Sequence, residues 1–283
     1  MRRFITLLLP ITFAPLLSAQ EELSKKREQI KIDWGQYETK NYSFDFEKVI
    51  PLSTVKTLGQ ELEDILEQYV RLFGEKPEKK LKVKFLDSGN TYEQEGGDPS
   101  HPGHYNPASR CLVIKQMAFL DLIPTVYHEA FHQYLAMYTG FSPGIPVWFN
   151  EGTASYFEQM QREKGTKKLN PRLIDKRKLR MVKDALATRT EIPLEKLIDA
   201  NHQEFHEKDK EGLYYTQSFA VIYFLMQSNA GKPVTSFMKE LKGGNGVDAA
   251  NSKLFGPDRK NLKKVERQFK EYTAKLPLEV AGR

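Results

Sequence analysis

Residues 124–158 read P-T-V-Y-H-E-A-F-H-Q-Y-L-A-M-Y-T-G-F-S-P-G-I-P-V-W-F-N-E-G-T-A-S-Y-F-E. Two stretches of helical character, 124–139 and 146–161, flank a break at Ser142-Pro143-Gly144. The first holds His128-Glu129-Ala130-Phe131-His132, and the second holds Glu151, with 18 residues between it and His132. Residues four apart lie on one helix face, one turn up, so His128 and His132 can reach a single ion. A catalytic zinc takes three protein ligands and a water. Glu151 supplies the third if the second helix runs antiparallel to the first, and Pro146 suits that helix's first turn. Glu129 flanks the same face, where it can take a proton from metal-bound water and hand it to the leaving group.

Five residues of the form H-E-x-x-H are a weak signal alone, since ordinary helices produce them. The apolar setting of Val126, Phe131 and Leu135, and the N-E-G-x-A at Asn150–Ala154, strengthen it. Histidines that merely filled a core would require no Glu151. The sequence thus predicts one Zn2+ per chain on His128, His132 and Glu151, with Glu129 as the base.

The pairing of His128-Glu129-x-x-His132 with Trp148-Phe149-Asn150-Glu151-Gly152-x-Ala154 resembles the gluzincin metallopeptidases. The spacing of 18 is similar to that of the aminopeptidase N branch, whose corresponding stretch is W-L-N-E-G-x-A. Tyr215-Thr216-Gln217-Ser218 through Leu225 resembles that branch's Y-E-K-G helix. The resemblance implies that the Tyr215 hydroxyl stabilises the oxyanion of the tetrahedral intermediate; Tyr214 is the neighbour to be told apart from it. Taken whole, the chain looks most like small exported bacterial proteins of the peptidase-MA-like class, a family of unknown function. Two departures matter. The G-x-M-E-N whose glutamate grips a substrate's free amine has no counterpart in Gly103–Ile114, which favours an endopeptidase over an aminopeptidase. The thermolysin-type branch has an aspartate four residues after the ligand glutamate; here that position is Ser155, and Ser155 or Glu158 is the expected acceptor behind a ligand histidine.

The implied fold is α+β and zincin-like, a small N-terminal sheet with an edge strand ahead of the metal helix and then a mainly helical half. A helix is expected over Pro51–Phe73, where Leu58, Leu62, Ile65, Leu66, Tyr69 and Leu72 recur at three- and four-residue spacing. A half-buried strand follows at Leu81–Leu86, a loop at 87–102, and strand, turn, strand over Gly103–Ile114. One or two strands are expected near Tyr42–Phe46. Helices are expected over Pro171–Leu186, Ile192–Ile198, Gly212–Gln227, Val234–Leu241 and Arg259–Leu276. The organisation is a leader with strands (20–50), a zincin-like domain (51–276) and its helical part (171–276).

Met1-Arg2-Arg3, the apolar run Phe4–Leu17 and the small residues ending at Ala19 form a signal peptide over 1–19. The run is short of the roughly 20 apolar residues a bilayer needs. Export to the periplasm or beyond, with no stable membrane insertion after cleavage, is the expectation. Net charge falls from +6 to +4 when Arg2 and Arg3 leave; that modest excess is no nucleic-acid footprint. Cys111 is the only cysteine, so no intramolecular disulfide forms and a buried thiol is expected. His202 and His206 repeat the four-residue spacing without a following acid or partner glutamate, and are read as exposed. His101 and His104 are read as turn residues. The expected partner is a peptide or protein substrate; a non-catalytic binding module, or a zinc hydrolase of a non-peptide amide or ester, is the alternative. Sequence leaves the oligomeric state open.

Overall fold

The computed structural model describes residues 33–87, 89–140, 144–163, 169–170, 174–207 and 210–278. The signal peptide expected over 1–19 lies outside them. Gly35–Arg283 forms one unit by its internal contacts.

Five strands make one sheet: β1 (Trp34–Glu38), β2 (Tyr42–Glu47), β3 (Leu81–Leu86), β4 (Gly103–Asn106) and β5 (Cys111–Lys115). Their order is β1-β2-β3-β5-β4. β2, β3 and β5 run parallel, and β4 pairs antiparallel with β5. The edge beside the later site is therefore β4, not the strand that leads directly into the metal helix. Alternation sorts the faces: Phe44, Phe46, Val83, Phe85, Leu112 and Ile114 point into the main core. On the other face Cys111 and Val113 pack with Leu86 and Tyr92. Tyr92 comes from α2 (Gly89–Gln94), a short helix inside the stretch expected to be loop. Burial pushes the Cys111 thiol up to about 11, as befits a structural cysteine.

The crossover from β2 to β3 is α1 (Leu52–Phe73), whose buried stripe includes Val55, Leu58, Leu62, Ile65, Leu66 and Tyr69. It stops at Gly74, which sits at φ 85° and returns its N–H to Val70, a left-handed cap that suits glycine. α1 backs the first motif helix, α3 (Phe119–Tyr138). The Tyr69 hydroxyl donates to the Tyr127 carbonyl at 2.8 Å. The Tyr127 hydroxyl donates to the buried Glu61 carboxylate, which Arg162 also pairs at 2.8 Å. α3 begins five residues earlier than its sequence signals suggested, with Pro124 inside it. A proline removes one backbone bond and normally marks a start; here the Ala118 carbonyl already accepts from Asp121 and Leu122 one turn earlier.

The second motif helix, α4 (Val147–Glu158), has Pro146 as its N-cap rather than in its first turn, and the Pro146 carbonyl accepts from Phe149 and Asn150. It ends short of 161, where Gln161–Arg162 (β6) pairs with Leu169–Asn170 (β7). α5 (Lys176–Thr188) starts later than expected because the Asp175 side chain caps it, accepting from Arg177 and Lys178. α6 (Leu194–Asp199), α7 (His202–Phe205), α8 (Glu211–Gln227) and α9 (Lys232–Lys242) follow. The tail is two helices, α10 (Gly246–Phe255) and α11 (Leu262–Lys275), where one was expected over Arg259–Leu276. The result is α+β, with one sheet at the N-terminal end and helices thereafter.

α4 is wedged between α3 and α8. Phe131 of α3 stacks on Phe157 of α4 with centroids 5.2 Å apart. Trp148 and Phe149 are buried against Phe237 of α9. On the α8 side the backbones nearly touch: a Cβ on Gly152 would lie 2.7 Å from the Ser218 carbonyl oxygen. No alanine fits there without moving a helix. Gly152→Ala should destabilise the fold by about 1–3 kcal/mol, the usual cost of overpacking, and denaturant unfolding followed by circular dichroism measures it.

Candidate metal centre

His128 and His132 lie one turn apart on α3, and Glu151 faces them from α4. Their ligand atoms all lie within 4.8 Å of one another. His128 Nε2 is 3.4 Å and His132 Nε2 3.7 Å from the same oxygen, Glu151 Oε2. Tetrahedral ligands at zinc–nitrogen and zinc–oxygen distances would be about 3.3–3.5 Å apart, so the group is nearly closed around an ion-sized centre. The side chains are 13–16% exposed, open to a small ion and otherwise enclosed. The two helices run antiparallel here: the earlier histidine meets Glu158 and the later one meets Asn150.

The far ring nitrogens explain the orientation. His128 Nδ1 lies 3.2 Å from Glu158 Oε2, and His132 Nδ1 lies 2.8 Å from Asn150 Oδ1. Both partners accept, so each Nδ1 carries the proton and each Nε2 lone pair can point to an ion. Glu158 is itself held by Lys178 of α5 at 3.0 Å. Of the two candidates read from the sequence, Glu158 therefore backs the ligand histidine, while Ser155 is buried. Asn150 and Lys178 were not singled out. The asparagine had a signal, its place directly before the ligand glutamate; the lysine lies 20 residues beyond Glu158, too far for any local pattern.

Electrostatics favour a cation. Burial works against a charged His128, yet hydrogen bonds to Glu151 and Glu158 and the nearby Glu129 raise its pKa to about 10. Burial likewise works against Glu151, but His132 and His128 lower it to about 2. The donor set of two neutral imidazoles and one carboxylate fits a borderline divalent metal. These three residues could hold a metal ion.

Glu129 points from α3 toward the sheet edge. Its Oε2 accepts from the Tyr105 backbone N–H of β4 at 2.9 Å. The ladder explains why that N–H is available. Lys115 N–H donates to the Pro102 carbonyl, which fixes the antiparallel alternation. With Gly103 opposite Ile114 and Tyr105 opposite Leu112, the backbone groups of Gly103 and Tyr105 turn away from β5, toward the cleft. Gly103 permits the approach, since a Cβ there would stand 3.1 Å from Thr125 and 3.4 Å from Glu129. His104 points to the opposite face, between the Tyr92 hydroxyl and the Glu95 carbonyl. His101 is exposed beside Ser100 and Asp98.

Tyr215 and Tyr214 separate clearly. Tyr214 is fully buried, its ring 5.2 Å from Phe205. Tyr215 is partly exposed, and burial followed by the charges of Glu151, Glu211 and Glu129 pushes its hydroxyl well up. It keeps its proton, and the charges of Glu151 and Glu129 both bear on it. His206 needs a correction. It is only half-exposed, its ring 5.9 Å from that of Tyr215 and its Nδ1 3.1 Å from Glu211. An Asn201–Glu204 capping box and the buried Phe205 turn the short helix α7 toward the site. His202 is exposed, as expected.

Replacing Glu158 with Gln removes the charge behind His128 and leaves the fold. Divalent-metal affinity should drop about 10–100-fold, read by titrating metal into apo protein, with circular dichroism unchanged.

A family model described as "Protein of unknown function (DUF1570)" matches residues 122–243. That span takes in both motif helices and Tyr215, and stops short of the sheet. No curated protein matches the chain at a significant level.

Proposed function

We propose that the protein is an exported zinc metallohydrolase, a peptidase that cuts within chains. The observation that carries this reading is the convergence of four functions at one place: the His128–His132–Glu151 group, a carboxylate at Glu129, a hydroxyl donor at Tyr215, and outward-facing backbone on an edge strand. A metal site that served structure alone would need neither the carboxylate nor the open strand. The likeness of the motifs to gluzincins points the same way.

Zinc, when bound, supplies Lewis-acid polarisation of a water and of the carbonyl under attack. An extended peptide adds to β4 through the backbone groups of Gly103 and Tyr105, which lays its scissile carbonyl over the group. Glu129 takes the proton from the attacking water and carries it to the leaving amine. Tyr215, kept protonated, donates to the oxygen that gains charge. β4 reads Gly103-His104-Tyr105-Asn106 and has no carboxylate for a free N-terminus, which supports internal cleavage.

Metal content by elemental analysis, and hydrolysis of an unstructured, N-terminally blocked protein, test the reading. Wild type should hold about one zinc per chain and cut internal bonds. Glu129→Gln should keep its zinc and lose about 10²–10⁴ in kcat. Cleavage confined to non-peptide amides or esters would sink the peptide assignment, and zinc without any hydrolysis would make the protein a binding module. Tyr215→Phe should lower kcat by about 10²–10³ with little change in KM.

A further inference from the structure

A second cleft lies at the far end of the edge strand, beyond the metal group. It has a volume of about 570 Å³ and opens between the C-terminal half of α3, the start of β3 and the turn joining β4 to β5. Six basic residues line it: Lys76, Lys79, Lys80, Lys82, Arg110 and Lys242. Only two acids do, Glu75 and Glu78. Lys80 pairs with Glu38 at 2.6 Å and Lys242 with Glu75. Among the described residues Lys76 and Lys79 have no carboxylate partner, and with only Glu78 to offset them the cleft keeps an excess of positive charge. Lys82 lends the cleft its backbone, while by the alternation of β3 its side chain lies on the Cys111 face, in a neighbouring cleft with Glu38 and Asp45.

The walls are fixed. Gln133, next to the ligand His132, is 2% exposed, and its amide donates to the Lys82 carbonyl at 2.9 Å and the Arg110 carbonyl at 3.3 Å. That stitches α3 to the starts of β3 and β5 and closes the floor. Arg110 sits at φ 54°, a left-handed conformation that costs a non-glycine residue energy. The turn before it is held by the Asn106 side chain, which accepts from Ala108 and Ser109.

Tyr105 joins this cleft to the metal centre. Its N–H donates to Glu129 while the residue also lines the cleft. A peptide paired with the outward edge of β4 advances about 3.3 Å per residue. Within two to four residues of the scissile bond it passes Tyr105 and enters the basic cleft. There carboxylate side chains would meet the unmatched lysines.

We propose that this cleft is a subsite for acidic peptide segments, so that the enzyme selects chains with Asp or Glu two to four residues from the cut. The proposal rests on the peptidase reading above and names its substrate class. The charge is focused in a rigid pocket in line with the edge strand, which favours a peptide over a nucleic acid spread along a surface.

The test compares paired peptides that differ only in Asp and Glu against Asn and Gln at those positions. Wild type should prefer the acidic member by about tenfold in kcat/KM at low salt, the order expected of two or three exposed ion pairs, and the preference should shrink in high salt. Lys76→Glu/Lys79→Glu should erase or invert it while leaving kcat/KM for the neutral peptide within about twofold. Equal rates on the two peptides, or an equal loss on both in the double variant, would overturn the subsite. So would competition by an oligonucleotide or inorganic phosphate where an uncleavable acidic peptide fails to compete. Binding of the same pairs to Glu129→Gln, followed by fluorescence anisotropy, separates the two readings. If no peptide is hydrolysed, the peptidase reading fails, yet a lysine-dependent preference in binding still supports the subsite and its absence overturns it.

Discussion

The centre depends on how closely the helix Val147–Glu158 can lie against two neighbours at once. On one side it must bring Glu151 within 3.4–3.7 Å of two imidazole nitrogens. On the other, Gly152 sets its backbone almost onto the Ser218 carbonyl. Adjacent residues on a helix point about 100° apart, so one glycine lets Glu151 face α3 while the next position meets α8. The same approach brings Tyr215, one turn before Ser218, under the charge of Glu151. The N-E-G sequence thus encodes a ligand and the clearance that places it, and Asn150 adds the acceptor that orients His132.

Charge then propagates outward from the ligands. Burying carboxylates is costly unless each has partners. Glu151 is answered by the two histidines, and Glu158 by His128 and Lys178. Burial opposes the ionisation of Glu158, but these two partners keep its pKa lowered. Lys178 in turn lies 5.4 Å over the Phe219 ring, which belongs to the same helix as Tyr215. Positive charge thus answers each carboxylate, the two histidines at Glu151 and His128 with Lys178 at Glu158, and the His128–His132–Glu151 group could hold a metal ion.

What the sequence made legible follows the reach of each interaction. The ligand group and Glu129 lie within 24 residues and obey helical spacing, so pattern alone brings them together. The α1 stripe and the alternating Leu81–Leu86 were equally plain, because burial imposes a period. Boundaries slipped where backbone caps replaced side-chain signals. Pro124 reads as a helix start, yet Ala118 opens the helix, and Pro146 caps from outside rather than beginning the first turn. His206 was misread because the charged residues beside it suggested open solvent. The capping box and Phe205 that turn it toward Tyr215 act through packing with a helix that follows it. Lys178 and the order of β4 and β5 were beyond local pattern, since both depend on where distant segments meet.

The edge strand shows how the fold guards a surface it must keep open. A free strand edge invites pairing with any extended chain. β4 is four residues long, and of its two outward residues Tyr105 already gives its N–H to Glu129. Gly103 lacks the side chain that would hold the strand away from the helix. The carboxylate and the strand therefore share one contact. On the reading proposed above, a peptide pairing with β4 would arrive where Glu129 rests and would compete with that carboxylate for the Tyr105 N–H.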